Sequence, residues 1–475
     1  MKDYKMYIGG EWVDALSGET LTTLNPATEE PYAKVPSAAK ADVDRAVKAA
    51  NDAFPAWSAL RVEERSAILV KMAEAIRAHA DEFAELEMRE HGTPRPDAFG
   101  ATMGAASKFE WSAYAAQRIM GEQLPVEEST LSFVKRTPAG IVGIITPWNL
   151  PTIMIAVKLS AVLATGNTCI LKPPSINSSI ALHFAEVLSG VEGVPPGTIN
   201  VITGPGHGVG DALARHPGIN MLGFTGSSET GQSIMAAASS TVKKCVMELG
   251  GNNPVLIMAD ADVDAALKIL AWRQFNNSGQ HCSGPGRYYV HESRYDEFVE
   301  KFKNAAEMVV VGDPVTEGVT MGPVVSRTHQ RHVLAYIESA VEEGARVVAG
   351  GKPRSPGFFV EPTVIADCTH DMKIAREEVF GPVAVIIKYT DNDNLVQWAN
   401  DSNYGLCAHV WTKDIGKGMK LIDQLQAGAV FINTQMLTNE QPWGTSVKQS
   451  GIGKEGGMYG LLEFTDQKLV CIKYA

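Results

Sequence analysis

Ile141-Val142-Gly143-Ile144-Ile145 is the run from which the architecture follows. It is short and apolar on both faces, as a strand buried inside a sheet must be. Apolar runs of the same kind recur at Thr168–Lys172, Thr198–Ile202, Asn220–Phe224 and Cys245–Leu249, each separated from the next by a helical stretch. Alternation of strand and helix specifies a buried parallel sheet with helices on its faces. A second alternating set begins at Asn253-Pro254-Val255-Leu256-Ile257 and continues through Tyr288–Val290, Arg346–Ala349, Val383–Tyr389, Cys407–Trp411 and Ala429–Asn433. The expectation is two α/β domains in tandem. Upstream, a short aromatic strand at 7–13 precedes helical stretches at Asp42–Ala53 and Glu63–Ala78. The β-prone segments Thr130–Arg136 and Lys468–Tyr474 fit neither domain. Left bare, such edges invite aggregation, so pairing across a subunit interface is preferred to packing on their own subunit.

The bulk numbers exclude several function classes. At 475 residues the chain needs more than one core. A net charge of −12 with no basic run argues against nucleic acid. No stretch of about 18 apolar residues marks a membrane span, and the N-terminus lacks an apolar signal core, so the cytosol is the default reading. The six cysteines are scattered without a CxxC pair, giving neither a disulfide framework nor the usual zinc spacing. No metal is expected.

One of those cysteines stands apart. Cys282 lies in the Gly-rich turn Asn277-Ser278-Gly279-Gln280-His281-Cys282-Ser283-Gly284, and Glu248 precedes it in Met247-Glu248-Leu249-Gly250-Gly251-Asn252. A thiolate attacks carbonyl carbon well. The surrounding glycines are read as room for a ligand, and Glu248 as the base that a two-step covalent reaction needs.

Three loops just past strand ends suit a nucleotide. Thr225-Gly226-Ser227-Ser228 leads from a strand into a helix, where backbone N–H groups and a capping hydroxyl hold phosphate. Gly204-Pro205-Gly206-His207-Gly208-Val209-Gly210 opens another helix, and Leu171-Lys172-Pro173-Pro174-Ser175 offers a lysine. Neither glycine loop is the standard dinucleotide fingerprint, and each alone reads as a simple turn. Together, at one sheet edge, they indicate a ligand outside the carboxyl ends of the strands.

With these pieces assembled, the chain resembles the NAD(P)-dependent aldehyde dehydrogenase superfamily, essentially end to end. Besides the segments already quoted, the resemblance rests on Thr146-Pro147-Trp148-Asn149-Leu150-Pro151, Phe224-Thr225-Gly226-Ser227, Glu377-Glu378-Val379-Phe380-Gly381-Pro382, Asn403-Tyr404-Gly405-Leu406 and Lys448-Gln449-Ser450-Gly451. It implies an α/β fold of two tandem Rossmann-like domains with a small β oligomerisation element. Residues 1–117 and 139–250 would bind the dinucleotide, 251–448 would form the catalytic domain, and 118–138 with 465–475 the oligomerisation element of a homodimer or homotetramer. It also implies that Cys282 is the nucleophile, Glu248 the base for the deacylating water, and Asn149 with the Cys282 N–H the oxyanion hole. Lys158 and Glu455 match positions on a proton path around that base. Glu378 would hold the nicotinamide ribose beside Phe380, Ser227 would touch the pyrophosphate, and Lys172 would reach the adenosine ribose. Thr146, Pro147, Trp148, Ser175, Gly206, Gly210, Phe224, Thr225, Gly226, Leu249 and Gly250 complete the cofactor site.

The departures bear on specificity. Ser175 stands where NAD-preferring members commonly carry a Glu, so a 2′-phosphate is not repelled and Lys172 is free to pair with it; NADP is favoured as accepted, beside NAD. The substrate pocket is assigned to Leu150, Met154, Val157, Asn276, His281, Met436 and Trp443, with Leu150, Val157 and Asn276 where many relatives have aromatics. The mouth loop 434–443 has no Lys or Arg, which argues against an anionic semialdehyde, and its Glu440 is read as a solvated loop residue. His281 is expected to face away from the thiol. The leading reaction is oxidation of an aldehyde to the free acid through a thiohemiacetal and thioester. The alternatives are a CoA-acylating aldehyde dehydrogenase, a non-catalytic dinucleotide-binding protein and a cofactor-free thiol esterase.

Overall fold

In the computed structural model, which describes residues 1–444 and 446–474, the Ile141–Ile145 strand lies inside an eight-stranded sheet. The order across the sheet is Gly451–Ile452, Lys244–Glu248, Met221–Thr225, Ile141–Ile145, Thr168–Lys172, Ile199–Val201, Met6–Ile8 and Glu11–Val13. The five strands from 141 to 248 run parallel. Their side chains alternate between two cores, as the period of a strand requires. Val142 and Ile144 face the cluster with Phe109, Leu159 and Phe184, while Ile141 and Ile145 face the one with Val43, Val47 and Ile234. The chain adds strands to one side of Ile141–Ile145 and then returns to build on the other. The resulting switch point, between the loops after Ile145 and after Thr225, is where such sheets take ligands.

A second, seven-stranded sheet is ordered Arg346–Ala349, Thr363–Cys368, Val383–Tyr389, Pro285–His291, Asn253–Ile257, Cys407–Trp411 and Ala429–Ile432. It is parallel except for Arg346–Ala349. The two tandem α/β units expected from the alternation are both present. One element differs: the single strand expected at 7–13 is a hairpin. It breaks at Gly9-Gly10, whose φ values of 64° and 91° suit glycine and close the turn.

The β-prone segments form a third sheet of Glu122–Leu124, Thr130–Pro138 and Thr465–Lys473. Thr130–Pro138 and Thr465–Lys473 pair antiparallel along their whole length within the chain. Neither therefore waits for another subunit to supply its first partner. Leu469 and Ile472 remain exposed on this sheet, as does Tyr474 just past its end.

Candidate active site

The turn that carries Cys282 joins the helix Val263–Phe275 to the strand Pro285–His291. Asn277, Ser278 and Gly279 all adopt left-handed φ, at 50°, 54° and 70°. For the two non-glycine residues this costs of order 1 kcal/mol or more each, so the surroundings must enforce it. Asn277 Nδ2 donates to Asn149 O at 2.6 Å, His91 Nε2 lies 2.8 Å from Asn277 Oδ1, and Ser278 Oγ donates to Gly322 O at 2.8 Å. Burial pushes the His91 pKa down to about 4, keeping that ring neutral. A Cβ on Gly279 would lie 2.1 Å from Gly381 O, and one on Gly251 2.6 Å from Cys282 O. These glycines thus serve backbone crossings; of the glycines in the Cys282 turn read as room for a ligand, Gly279 instead lies against Gly381.

Asn253 Nδ2 clamps the turn by donating to Cys282 O at 2.8 Å and Gly284 O at 2.7 Å. Cys282 itself is partly exposed. Desolvation, followed by the charges of Glu248 and Glu378, pushes its thiol pKa well above the ordinary value, and Arg273 opposes them. Arg273 is a residue that sequence reasoning missed. Its Nη2 donates to Ser283 Oγ at 2.8 Å, its Nε is buried without a hydrogen bond, and no carboxylate pairs with it among the described residues. The available signal was a lone arginine among the mostly apolar residues of Leu270-Ala271-Trp272-Arg273-Gln274-Phe275.

Asn149 follows the Ile141–Ile145 strand and is buried, with Nδ2 donating to Gln280 O at 2.9 Å. One of its two amide hydrogens is left for a ligand. Glu248 ends the Lys244–Glu248 strand at 1% exposure. Ser446 Oγ donates to its Oε2 at 3.1 Å, and its Oε1 is buried without a partner among the described residues. Lys158, on the helix Pro151–Ala164, forms a buried ion pair with Glu455. Gly444 lies between the two acids, since a Cβ there would come within 2.8 Å of Glu248 Oε2 and 2.7 Å of Glu455 Cβ. Burial and then Glu455 raise the Glu248 pKa well above the carboxylate range, outweighing Lys158 and Ser446.

On the far side of the Gly250-Gly251 pair stands Glu378. Gly251 N donates to its Oε1 at 3.0 Å, and burial raises its pKa to about 8. Phe380 holds φ 55° and meets Trp148 edge-on at 5.4 Å. The strand-end loops carry the other expected contacts. Lys172 is 4% exposed, and desolvation alone lowers its pKa to about 8, with no anion to offset the burial. Thr146 Oγ1 and Thr225 Oγ1 are buried without partners. Ser227 caps the helix Ser228–Ala238, accepting from Thr230 N at 3.3 Å, and is exposed. Gly226 lies against the Phe224 ring, and Leu249 against Gly231. Ser175 Oγ donates to Gly204 O at 2.9 Å, tying the loop after Lys172 to the one that carries Gly206 and Gly210. A methyl on either glycine would touch nothing within 4 Å. A buried ammonium without a counter-ion, two orphaned hydroxyls and an open helix N-terminus fit a ribose–phosphate ligand.

The residues assigned to a substrate pocket do not all converge. Leu150 caps the helix that buries Met154 and Val157, and Trp443 lies against Gly456, but Met436 is 65% exposed. Asn276 turns elsewhere. Its Nδ2 donates to Asp97 Oδ2 at 2.8 Å, and with Pro94, Trp272 and Phe275 it lines a separate cavity of about 610 Å³. His281 Nε2 lies 3.1 Å from Asn276 Oδ1, and desolvation, with Arg273, keeps the ring neutral, so it brings no charge to the thiol. The cation absent from loop 434–443 is present beside it. Lys108, half-buried on the helix Arg95–Ala116, faces Glu440 and Glu455. Glu440 itself is exposed, as a solvated loop residue would be.

Comparison with known proteins bears on the whole chain. A family model described as "Aldehyde dehydrogenase family" matches residues 12–470. The chain is 38% identical to "Aldehyde dehydrogenase, cytosolic 1" of Elephantulus edwardii, over 99% of this chain and 95% of that one. Among solved structures it is similar to the "NAD+ complex structure of aldehyde dehydrogenase from bacillus cereus", at 37% identity and TM-score 0.96 over 99% and 96% of the two chains. It is equally similar to an "E. coli NADP dependent enzyme", at 37% identity and TM-score 0.96 over 99% and 98%. The chain belongs to the aldehyde dehydrogenase family and is an oxidoreductase acting on the aldehyde group.

Proposed function

We propose that the protein oxidises an aldehyde to the free carboxylic acid through a covalent intermediate on Cys282, with NAD or NADP as hydride acceptor. The observation that carries this reading is the Gly250-Gly251 crossing. It brings the loop after Glu248, the Cys282 carbonyl and the Glu378 carboxylate into contact. Cys282 adds to the aldehyde carbon as thiolate, with Arg273 the cation that favours that form. The oxyanion is held by the free Asn149 amide hydrogen and the Cys282 N–H; losing one such donor typically costs ~10²–10³ in rate. When bound, the nicotinamide supplies the hydride acceptor. Breakdown of the adduct leaves the acyl group on Cys282 as a thioester. Glu248, acting in its ionised form, then takes a proton from water; the remaining hydroxyl joins the acyl carbon, and collapse releases the acid and expels the Cys282 thiolate. Lys158 and Glu455 serve as the route by which that proton leaves.

Residues 1–117 with 139–250 are assigned to dinucleotide binding, 251–448 to catalysis, and 118–138 with 465–475 to assembly of a homodimer or homotetramer. Lys172, Ser227, Glu378 and Phe380 would hold the dinucleotide, which supplies the redox chemistry this chain lacks. Ser175 brings no carboxylate to the Lys172 ammonium, which supports acceptance of NADP alongside NAD. A cytosolic setting agrees with six free cysteines, and among the described residues no helix is long and apolar enough to cross a membrane.

Product analysis with and without CoA tests the reading. Free acid formed at the same rate in both supports it, whereas acyl-CoA as the product would favour the acylating alternative, for which a buried Glu248 has no use.

A further inference from the structure

Outside the active site, the helices Ala80–Glu90 and Ser179–Ser189 approach one another through a repeated pattern, His79-x-x-Glu82 and His183-x-x-Glu186. We propose that His79, Glu82 and His183 form a binding site for a divalent ion of the zinc class. His79 Nδ1 lies 3.0 Å from Glu82 Oε1, and His183 Nε2 lies 3.3 Å from Glu82 Oε2. The three ligand atoms lie within 4.8 Å of one another. Donors at about 2.0–2.2 Å from a tetrahedral ion are spaced about 3.3 Å apart, so a small inward movement closes the set.

The case rests on His183. Only 5% exposed, it has carboxylate oxygens opposite both ring nitrogens, with Glu186 Oε2 3.1 Å from Nδ1. An imidazole with one N–H cannot donate to both of these carboxylates. Nδ1 is hydrogen-bonded to Glu186, while Nε2 is buried without a hydrogen bond despite the nearby Glu82. A lone pair facing an anionic oxygen across 3.3 Å is repulsive, and a cation between them reverses the sign. A carboxylate on the second nitrogen of a ligating histidine is the usual support of a metal site, a role that fits Glu186. Two nitrogens and a carboxylate suit zinc, nickel or copper better than magnesium or calcium. The cleft beside them, about 320 Å³ and bordered by Ala75, Val187 and Gly190, leaves space for water as a remaining ligand. No residue of this cluster belongs to the Cys282 site.

The test is titration of the whole protein with Zn²⁺ by calorimetry, and with Co²⁺ by visible absorption. One equivalent should bind, with cobalt d–d bands but no thiolate charge-transfer band. His183→Ala and His79→Asn should abolish binding while aldehyde oxidation persists, and Glu186→Gln should weaken it roughly tenfold or more. Absence of saturable binding, binding unchanged in both histidine variants, or a thiolate signature lost in Cys282→Ala would overturn the proposal. His79 caps one helix from the surface, so its variant remains informative if His183→Ala misfolds.

Discussion

Lys158 and Glu455 form an ion pair with side chains 0% and 3% exposed, and Glu248 lies beside them with no cation of its own among the described residues. The buried ammonium thus pairs with Glu455, while burial and that same Glu455 favour the protonated form of Glu248. Removing the ammonium leaves uncompensated charge, a change that costs about 3–5 kcal/mol in comparable settings. Lys158→Met should lower the unfolding free energy measured by denaturant titration by that order, and Glu455→Gln in the same chain should recover a large part of the loss. Equal stability of wild type and Lys158→Met would contradict the pairing.

The raised Glu248 pKa predicts a pH dependence of stability with a definite sign. Above the ordinary glutamate pKa and below its own raised value, Glu248 retains in the folded protein a proton that the unfolded chain has released. The folded state then binds more protons, and stability falls as pH rises. Glu248→Gln has no such term. Its melting temperature relative to wild type should climb as pH rises above the ordinary glutamate range. A constant difference would show that Glu248 ionises normally. In the same variant the first turnover should persist while steady-state acid release falls ~10²-fold or more.

Arg273 is the cation that opposes the upward pressure on the Cys282 thiol. Arg273→Met should shift the pH profile of Cys282 alkylation upward and slow alkylation at neutral pH by roughly threefold or more. An unmoved profile would assign Arg273 to packing alone.

Much of the framework was legible in sequence because it rests on local patterning. The continuous apolar runs from Ile141 to Leu249, alternating with helical stretches, read as strands buried on both faces of a parallel sheet. Asn149, Lys172, Ser227 and Glu248 are each tied to a strand end, so their common edge followed from the alternation. What stayed hidden depends on contacts between distant segments. The glycines at 251 and 279 exist for crossings with Cys282 and Gly381, which no local pattern announces. Arg273 and Lys108 reach the site from helices whose periodicity reads only as packing. Asn276 adjoins the reactive turn in sequence, yet its side chain is drawn off by Asp97.

Cofactor choice is accessible through Ser175, whose hydroxyl is committed to Gly204 O beside the uncompensated Lys172. Ser175→Glu places a carboxylate next to that ammonium. It should weaken NADP, measured as kcat/KM, by about tenfold or more relative to NAD through repulsion of the 2′-phosphate. An unchanged NADP/NAD ratio would remove Ser175 from the recognition of the ribose.

The covalent step is tested most directly by mass spectrometry of Glu248→Gln enzyme, acid-quenched after mixing with an aldehyde and dinucleotide. The peptide carrying Cys282 should gain the mass of the acyl group in proportion to reduced nicotinamide formed, and Cys282→Ala should form neither. Reduced nicotinamide without an adduct on Cys282, or continued turnover by Cys282→Ala, would contradict the mechanism.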